Sequence, residues 1–223
     1  MRSGGAGAIA FRHAFREWCG IDPSRVPVSM AGRTDLEILR LTLDAVGAPY
    51  PRPADRRRLV RIYLDHLRRE ILVPERAAPL PGVVALLDGL HARRLPVGLV
   101  TGNIQPGATI KLAAAGLADR FDFGAFGNDR EDRDELVPVA LRRLRRRHGA
   151  EPRPRDVWVV GDTLRDVQCA RAAGVRILAV GTGFEDQLAL ESARPDLYLT
   201  DLSDTARVLR RLGATMAAEA PGP

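Results

Sequence analysis

Apolar residues in the first third of the chain recur at helical spacing. One series consists of Leu36, Leu39, Leu43 and Val46, and a second of Val60, Tyr63, Leu64, Leu67 and Ile71. Residues three and four positions apart share a helix face, so both series predict amphipathic helices. Thr34 followed by Asp35 is a typical helix start, and a segment rich in proline separates the two helices. We predict a wholly helical region from about Ile9 to Ile71.

After Pro74 the pattern changes to short apolar runs that alternate with helical segments. The predicted strands are Pro96–Val100, Phe123–Phe126, Val157–Val160, Ile177–Val180 and Leu197–Leu199. The predicted helices are Gly82–Arg94, Pro106–Ala115, Glu135–His148 and Leu164–Ala173. Strict alternation of this kind is typical of a parallel sheet with helices on both faces. We therefore predict an α/β fold with a doubly wound, Rossmann-like sheet.

The composition indicates a globular chain, long enough for one core or for a core domain with a smaller second domain. The chain has 223 residues, of which 45% are hydrophobic and 28% charged. No apolar run approaches the roughly 20 residues of a membrane span, and the N-terminal residues lack the apolar stretch of a signal peptide. Cys19 and Cys169 suggest neither a disulfide framework nor a zinc site, and Cys169 fits a small buried thiol in a helix. We expect a cytoplasmic protein without a membrane partner.

The net charge of +6 and the pI near 10.2 raise the question of nucleic-acid binding. All basic residues except Lys111 are arginines, and they are spread along the chain. The densest cluster, residues 141–148, has Leu141 and Leu144 three apart, which is typical of a helix with one apolar stripe and a solvated basic face. We predict no nucleic-acid partner.

Two carboxylates follow the apolar run that begins at Val157. Gly161, Asp162 and Thr163 end the run, and Asp166 follows one helical turn later. Open α/β sheets bind their ligands at the carboxyl ends of their strands, and paired carboxylates suit a hard cation such as Mg²⁺. The alternative is an aspartate that only caps the next helix. The stretch by itself leaves both interpretations open.

A second strand also ends in polar residues. Thr101, Gly102 and Asn103 follow the run that ends at Val100. A hydroxyl beside free backbone N–H groups can cradle a phosphate, although the same residues also form ordinary turns.

The loop from Gly127 to Asp134 carries Arg130 and Arg133 just before a predicted helix. Such an arginine could neutralise a bound phosphate, or the loop could simply be a solvated, charged one.

Taken in this order, the three polar segments resemble the haloacid-dehalogenase-like hydrolase superfamily, especially its phosphoglycolate-phosphatase-like members. Thr101 matches the phosphate-binding Ser/Thr of the second signature, and Asp162 and Asp166 match the paired magnesium-binding acids of the last. The resemblance implies a remnant of the core-to-cap loop at 1–12, a helical cap at 13–78, an α/β core at 79–213 and a flexible tail at 214–223. It covers nearly the whole chain.

The resemblance also implies a chemistry. A carboxylate would attack the phosphoryl group to give an aspartyl-phosphate, which water then hydrolyses. Asp162 and Asp166 would bind Mg²⁺, while Thr101, Gly102, Asn103 and a basic residue would hold phosphate oxygens. Arg33, in the cap, would either contact the substrate or remain a surface arginine.

The chain departs from the family pattern in two places. The usual lysine of the third signature is missing, and Arg133 is the best substitute, with Arg130 as the rival. The Asp-x-Asp-Gly-Thr signature, which provides the nucleophile and the acid/base, is absent from the sequence. Asp132 and Asp134 form another Asp-x-Asp, but no strand directly precedes them. We expect either that Met1 is not the true start or that the chain is a pseudoenzyme, and little turnover from the chain itself.

The leading hypothesis is a Mg²⁺-dependent phosphomonoester hydrolase of a small phosphorylated metabolite similar to phosphoglycolate. One alternative is a non-catalytic relative that binds phosphate or a protein partner. Another is a haloacid dehalogenase, although that chemistry has less use for a bound cation. We expect a monomer or a homodimer.

Overall fold

The computed structural model describes residues 1–25, 28–74, 76–149, 151–183 and 185–217, which fall into two compact units. The helical unit comprises Met1–Pro79, Thr101–Ala118 and Phe126–Glu131, and the sheet unit comprises Leu80–Val100, Asp119–Ala125 and Asp132–Pro223. The helices are α1 (Ala6–Cys19), α2 (Asp35–Ala45), α3 (Pro53–Ile71), α4 (Val83–Ala92), α5 (Gln105–Ala114), α6 (Leu136–His148), α7 (Leu164–Ala172), α8 (Gln187–Ser192) and α9 (Thr205–Ala217). The strands are β1 (Gly98–Val100), β2 (Phe123–Ala125), β3 (Trp158–Gly161), β4 (Arg176–Val180) and β5 (Leu197–Leu199).

The helical unit is built on the packing of α1 against α3. Helix α1 presents the small residues Ala6, Ala10 and Ala14 on one face, and all three are fully buried. Helix α3 presents large apolar residues at helical spacing, among them Leu67, which is also fully buried. The pairing of small with large side chains lets the two helices interdigitate. The predicted start of α2 is confirmed, since the Thr34 side chain accepts a hydrogen bond from the backbone of Glu37.

The sheet unit has helices on both faces of its strands. In β4, Ile177 packs into a cluster with residues of α6 and α7, while its neighbour Leu178 packs with residues of α4 and α9. Successive residues of a strand point to opposite faces, so both faces of β4 are covered. This arrangement confirms the doubly wound α/β fold that the alternating pattern predicts.

The sheet consists of two parallel parts, β1–β2 and β3–β4–β5. Among the described residues β1 pairs only with β2, and β3 pairs on one side only, with β4. Val100 of β1 packs against the apolar clusters on both parts, so the two share one core. Val160 of β3 is 42% exposed although the strand is apolar. The sheet unit therefore contains two strand edges that have no partner among the described residues.

The observed strands agree with the predicted ones to within two residues at each end. Helices α8 and α9 were not predicted. Helix α1 begins at Ala6, inside the segment 1–12 for which a connecting loop is predicted. Helix α9 reaches Ala217, and the rest of the predicted tail lies outside the described residues. The boundaries of cap and core stay a prediction. None of the described helices is both long enough and apolar enough to cross a membrane.

Candidate active site

The polar end of β3 passes directly into helix α7. Thr163 is the N-cap of α7, and its side chain accepts a hydrogen bond from the backbone N–H of Asp166. The Asp166 side chain in return accepts from the backbone N–H of Thr163, which completes a capping box. The two carboxylates predicted from the sequence therefore lie beside each other at the carboxyl end of a parallel strand.

The carboxylate of Asp166 is held by four hydrogen bonds. Its Oδ2 accepts from the backbone N–H groups of Asp162 (3.2 Å) and Thr163 (3.1 Å) and from the Thr163 hydroxyl (2.8 Å). Its Oδ1 accepts from Nη2 of Arg133 at 2.5 Å. Asp166 is 7% exposed and Arg133 is 9% exposed. Charged hydrogen bonds of this kind are what make a buried carboxylate tolerable.

The negative charge of Asp162 is disfavoured by its surroundings. Burial raises the pKa of Asp162, the neighbouring Asp166 raises it further, and Arg133 opposes the rise. A hard cation at this carboxylate would offset both unfavourable effects, so Asp162 fits Mg²⁺. The oxygens of Asp166 are largely occupied by hydrogen-bond donors, and its role as a second ligand stays a prediction. Among the described residues no group of three or more His, Cys, Asp or Glu side chains converges.

The two arginines considered for the third signature lie in different environments. Arg133 precedes α6 and forms the buried ion pair with Asp166. Its Nε is buried and has no hydrogen-bond partner among the described residues. Arg130 is exposed, and its guanidinium donates to the carbonyl of Asp129. The geometry favours Arg133, whose orphaned donor could meet an anion; the role itself stays a prediction.

The candidate phosphate loop lies in the helical unit. Thr101 follows β1 directly in the chain, and its Oγ1 accepts from the backbone N–H of Asn103 at 3.2 Å. The carbonyl of Gly102 accepts from the backbone N–H of Asp35 at 2.8 Å. A Cβ on Gly102 would lie 2.1 Å from the carbonyl oxygen of Arg33, so only glycine permits this contact. The loop is therefore fastened to the start of α2.

Two charged residues beside this loop were missed by the sequence analysis. Asp35 accepts from the Asn103 side chain and from the backbone N–H of Ile104, and Lys111 donates to the Asn103 side chain. The sequence does single out Lys111, because it is the sole lysine of a chain rich in arginine. Arg33, the predicted substrate contact, pairs with Glu37 one turn later in α2.

Comparison with known proteins places these residues in context. The sequence model of the haloacid dehalogenase-like hydrolases matches residues 10–174. A phosphoglycolate phosphatase of Synechococcus elongatus is 33% identical over 132 residues, which are 59% of this chain and 59% of that protein. A phosphoglycolate phosphatase of Shigella boydii is 28% identical over 77% of this chain and 67% of its own length. The matched part of the chain thus spans about three fifths to two thirds of these relatives.

Solved structures agree with the fold. A hydrolase from Pseudomonas syringae superposes with a TM-score of 0.67 at 22% identity, covering 92% of this chain and 91% of that one. CbbY from Rhodobacter sphaeroides, in complex with phosphate, superposes with a TM-score of 0.67 at 18% identity, covering 91% and 89%. At these identities the likeness shows the fold alone.

The two cysteines are expected to differ sharply in reactivity. Cys19 is exposed, whereas Cys169 is fully buried next to Asp166. Burial, together with the nearby Asp166 carboxylate, raises the pKa of Cys169 from 9.0 to about 11. Because the thiolate is the reactive form, a thiol reagent at pH 8 should label one cysteine in the folded protein and two in denaturant. Rapid labelling of both in the folded protein would contradict this packing.

The same raised pKa predicts a loss of stability at alkaline pH. Above pH 9.0 the thiol ionises in the unfolded chain but stays protonated in the folded one. The unfolded state is therefore favoured increasingly between pH 9 and 11. A Cys169→Ser variant should lose this part of the pH dependence in denaturant titrations, whereas Cys19→Ser should keep it.

Replacing Arg133 with methionine should destabilise the fold. The substitution leaves the Asp166 carboxylate buried without its cation, and breaking such a pair costs about 3 kcal/mol. Arg133→Lys should recover part of the loss, because it keeps the charge without the planar fork. Arg130→Met is the matched control and should change the free energy of unfolding by less than about 0.5 kcal/mol. Equal effects of Arg133→Met and Arg130→Met on urea unfolding would refute the importance of the buried pair.

Proposed function

This chain belongs to the haloacid dehalogenase-like hydrolase family, and we propose that it serves as a Mg²⁺-dependent phosphomonoester hydrolase of a small phosphorylated metabolite. The observation that carries the proposal is the arrangement at the end of β3, where Asp162 lies beside the buried pair of Asp166 and Arg133. The relatives named phosphoglycolate phosphatase support a phosphate ester as the substrate class. We propose the cytoplasm as its location.

Each residue has a proposed task. Asp162 provides the carboxylate ligand for the cation, and Asp166 holds Arg133 and the start of α7 in place. The guanidinium of Arg133, through its buried Nε, stabilises negative charge on the phosphate. The Thr101 hydroxyl and the backbone of Gly102 and Asn103 hold phosphate oxygens. When bound, Mg²⁺ neutralises charge that develops on the transferring phosphoryl group.

The nucleophile is the part that these 223 residues do not provide. The mechanism forms an O–P bond from a carboxylate while the ester O–P bond breaks, and water later cleaves the aspartyl-phosphate. The family places that carboxylate in Asp-x-Asp-Gly-Thr, which the sequence lacks. Residues 1–223 are thus expected to hold cation and phosphate but not to complete the reaction.

The second candidate is a non-catalytic relative that binds phosphate or a protein partner. The missing signature favours it, because binding requires Asp162, Arg133 and Thr101 but no nucleophile. The two candidates differ only in whether a supplied nucleophile restores turnover.

Turnover is tested with p-nitrophenyl phosphate and Mg²⁺. Residues 1–223 should be nearly inert. A version extended at its N terminus by an apolar strand that ends in Asp-x-Asp-Gly-Thr should be faster by about a thousandfold or more, the scale on which loss of a nucleophile acts. The matched control carries Asn in place of the first Asp of that added segment. If the extended version is as inert as its control, the hydrolase proposal is wrong, and the non-catalytic binding protein remains as the candidate.

Binding of the cation is tested by thermal unfolding with increasing Mg²⁺. A ligand that binds only the folded state adds about 2.7 kcal/mol of stability at one hundred times its Kd. Asp162→Asn should abolish this gain, and Asp88→Asn, at an exposed carboxylate of the same unit, should keep it. Because the pKa of Asp162 is raised, protons should compete with Mg²⁺ as the pH falls through that pKa. An unchanged gain in Asp162→Asn would exclude this carboxylate as the ligand.

A further inference from the structure

Lys111 makes a specific contact with the candidate phosphate loop. It lies on α5, and its partly buried side chain extends back to the loop that precedes this helix. Its Nζ donates to Oδ1 of Asn103 at 2.9 Å. All other basic side chains of the protein are guanidinium or imidazole groups, so this position alone uses an ammonium.

Asp35 binds the opposite end of the same amide. Its Oδ1 accepts from Nδ2 of Asn103 at 3.2 Å, and its Oδ2 accepts from the backbone N–H of Ile104 at 2.8 Å. Burial raises the pKa of Asp35, and the charge of Lys111 opposes that rise. Burial lowers the pKa of Lys111, and Asp35 opposes that fall. Cation, amide and carboxylate therefore form a chain in which each charge stabilises the other.

This chain determines which way the Asn103 amide faces. An amide has an acceptor at one end and donors at the other. Only one orientation places the oxygen toward the ammonium and the nitrogen toward the carboxylate. The backbone of Asn103 is then fixed as well, because its N–H donates to Thr101 Oγ1 and its carbonyl accepts from the backbone N–H of Gly127 at 2.8 Å. The fixed amide thus holds the Thr101 hydroxyl in place.

We propose that Lys111 is a positioning residue which, together with Asp35, fixes the Asn103 amide and so shapes the loop from Thr101 to Ile104 for an anionic phosphate group. This assignment rests on the proposed function for its ligand, but the shape of the loop does not. Lys111 acts through Asn103, and it is not assigned a contact with the substrate.

The space around the ammonium explains why a lysine stands here in a chain rich in arginine. A Cβ added to Gly7 of α1 would lie only 2.7 Å from Nζ of Lys111 and 3.8 Å from the hydroxyl of Tyr63. A compact ammonium fits this space, whereas a planar guanidinium is larger and needs more donors satisfied. Gly7→Ala would therefore displace the ammonium without substituting Lys111, Asp35 or any loop residue and without changing the net charge.

The first test reads the loop directly by NMR. In protein labelled with ¹⁵N-lysine, the sole ammonium should give one Nζ signal whose protons exchange slowly, because Lys111 is partly buried and hydrogen-bonded. Asn103→Ala should abolish that protection. Lys111→Met should shift the backbone amide signals of Gly102, Asn103 and Ile104. An ammonium that exchanges rapidly, or loop signals that stay unchanged in Lys111→Met, would overturn the positioning role.

The second test measures the affinity for inorganic phosphate by calorimetry. Lys111→Met and Gly7→Ala should each weaken binding by about tenfold, the effect of losing one charge-assisted hydrogen bond. Arg68→Met is the matched control, since it removes an exposed cation from the same unit, and it should bind as the parent protein does. Gly7→Ala also introduces a better helix former, which favours α1 itself.

The outcomes separate the two proposals. If the parent protein binds no phosphate, the proposed function fails, while the NMR signals still decide the positioning role. If the parent binds phosphate and both Lys111→Met and Gly7→Ala bind it equally well, the positioning role fails and the proposed function stands.

Discussion

The carboxylate of Asp166 is the group on which the end of strand β3 depends. It caps helix α7, accepts two backbone N–H groups of the turn and pairs with Arg133, which lies 33 residues earlier in the chain. A carboxylate that is 7% exposed would be costly without these donors. One side chain therefore holds the turn, the start of the helix and the arginine together, and among the described residues Asp162 forms no ion pair of its own.

In the helical unit the carboxylate of Asp35 is stabilised in a different way. Within the part of the chain that the structure describes, Asp35 forms no ion pair with an arginine; the amide of Asn103 lies between it and Lys111. The amide accepts a hydrogen bond from the cation and donates one to the anion, and these two bonds also hold the backbone of Asn103. The direct pair suits a site where charge must be concentrated, and the bridged pair suits a loop whose conformation must be held. Both arrangements place charged side chains against the residues that follow a strand, where backbone N–H groups are available.

The sequence predicts the elements well where the pattern is long or clearly bounded. Apolar runs between Gly and Pro residues located the strands, and helical periodicity located α2 and α3. Helix α8 is only six residues long and offers too little periodicity to be recognised. Side-chain partners were harder to predict, because Asp35 and Lys111 are distant in sequence and only tertiary packing brings both to Asn103. Sequence motifs identified Asp162, Asp166 and Thr101 as candidates but could not show that Asp166 is occupied by hydrogen-bond donors or that Arg33 pairs with Glu37.

The edges of β1 and β3 that pair with no other described strand have a consequence for the behaviour of the protein in concentrated solution. An exposed, apolar strand edge is a template on which another chain can add a strand, and Val160 offers apolar surface beside such an edge. The net charge of +6 keeps copies of the chain apart by repulsion. Salt screens that repulsion without weakening strand pairing. The colloidal stability of this protein therefore depends on ionic strength.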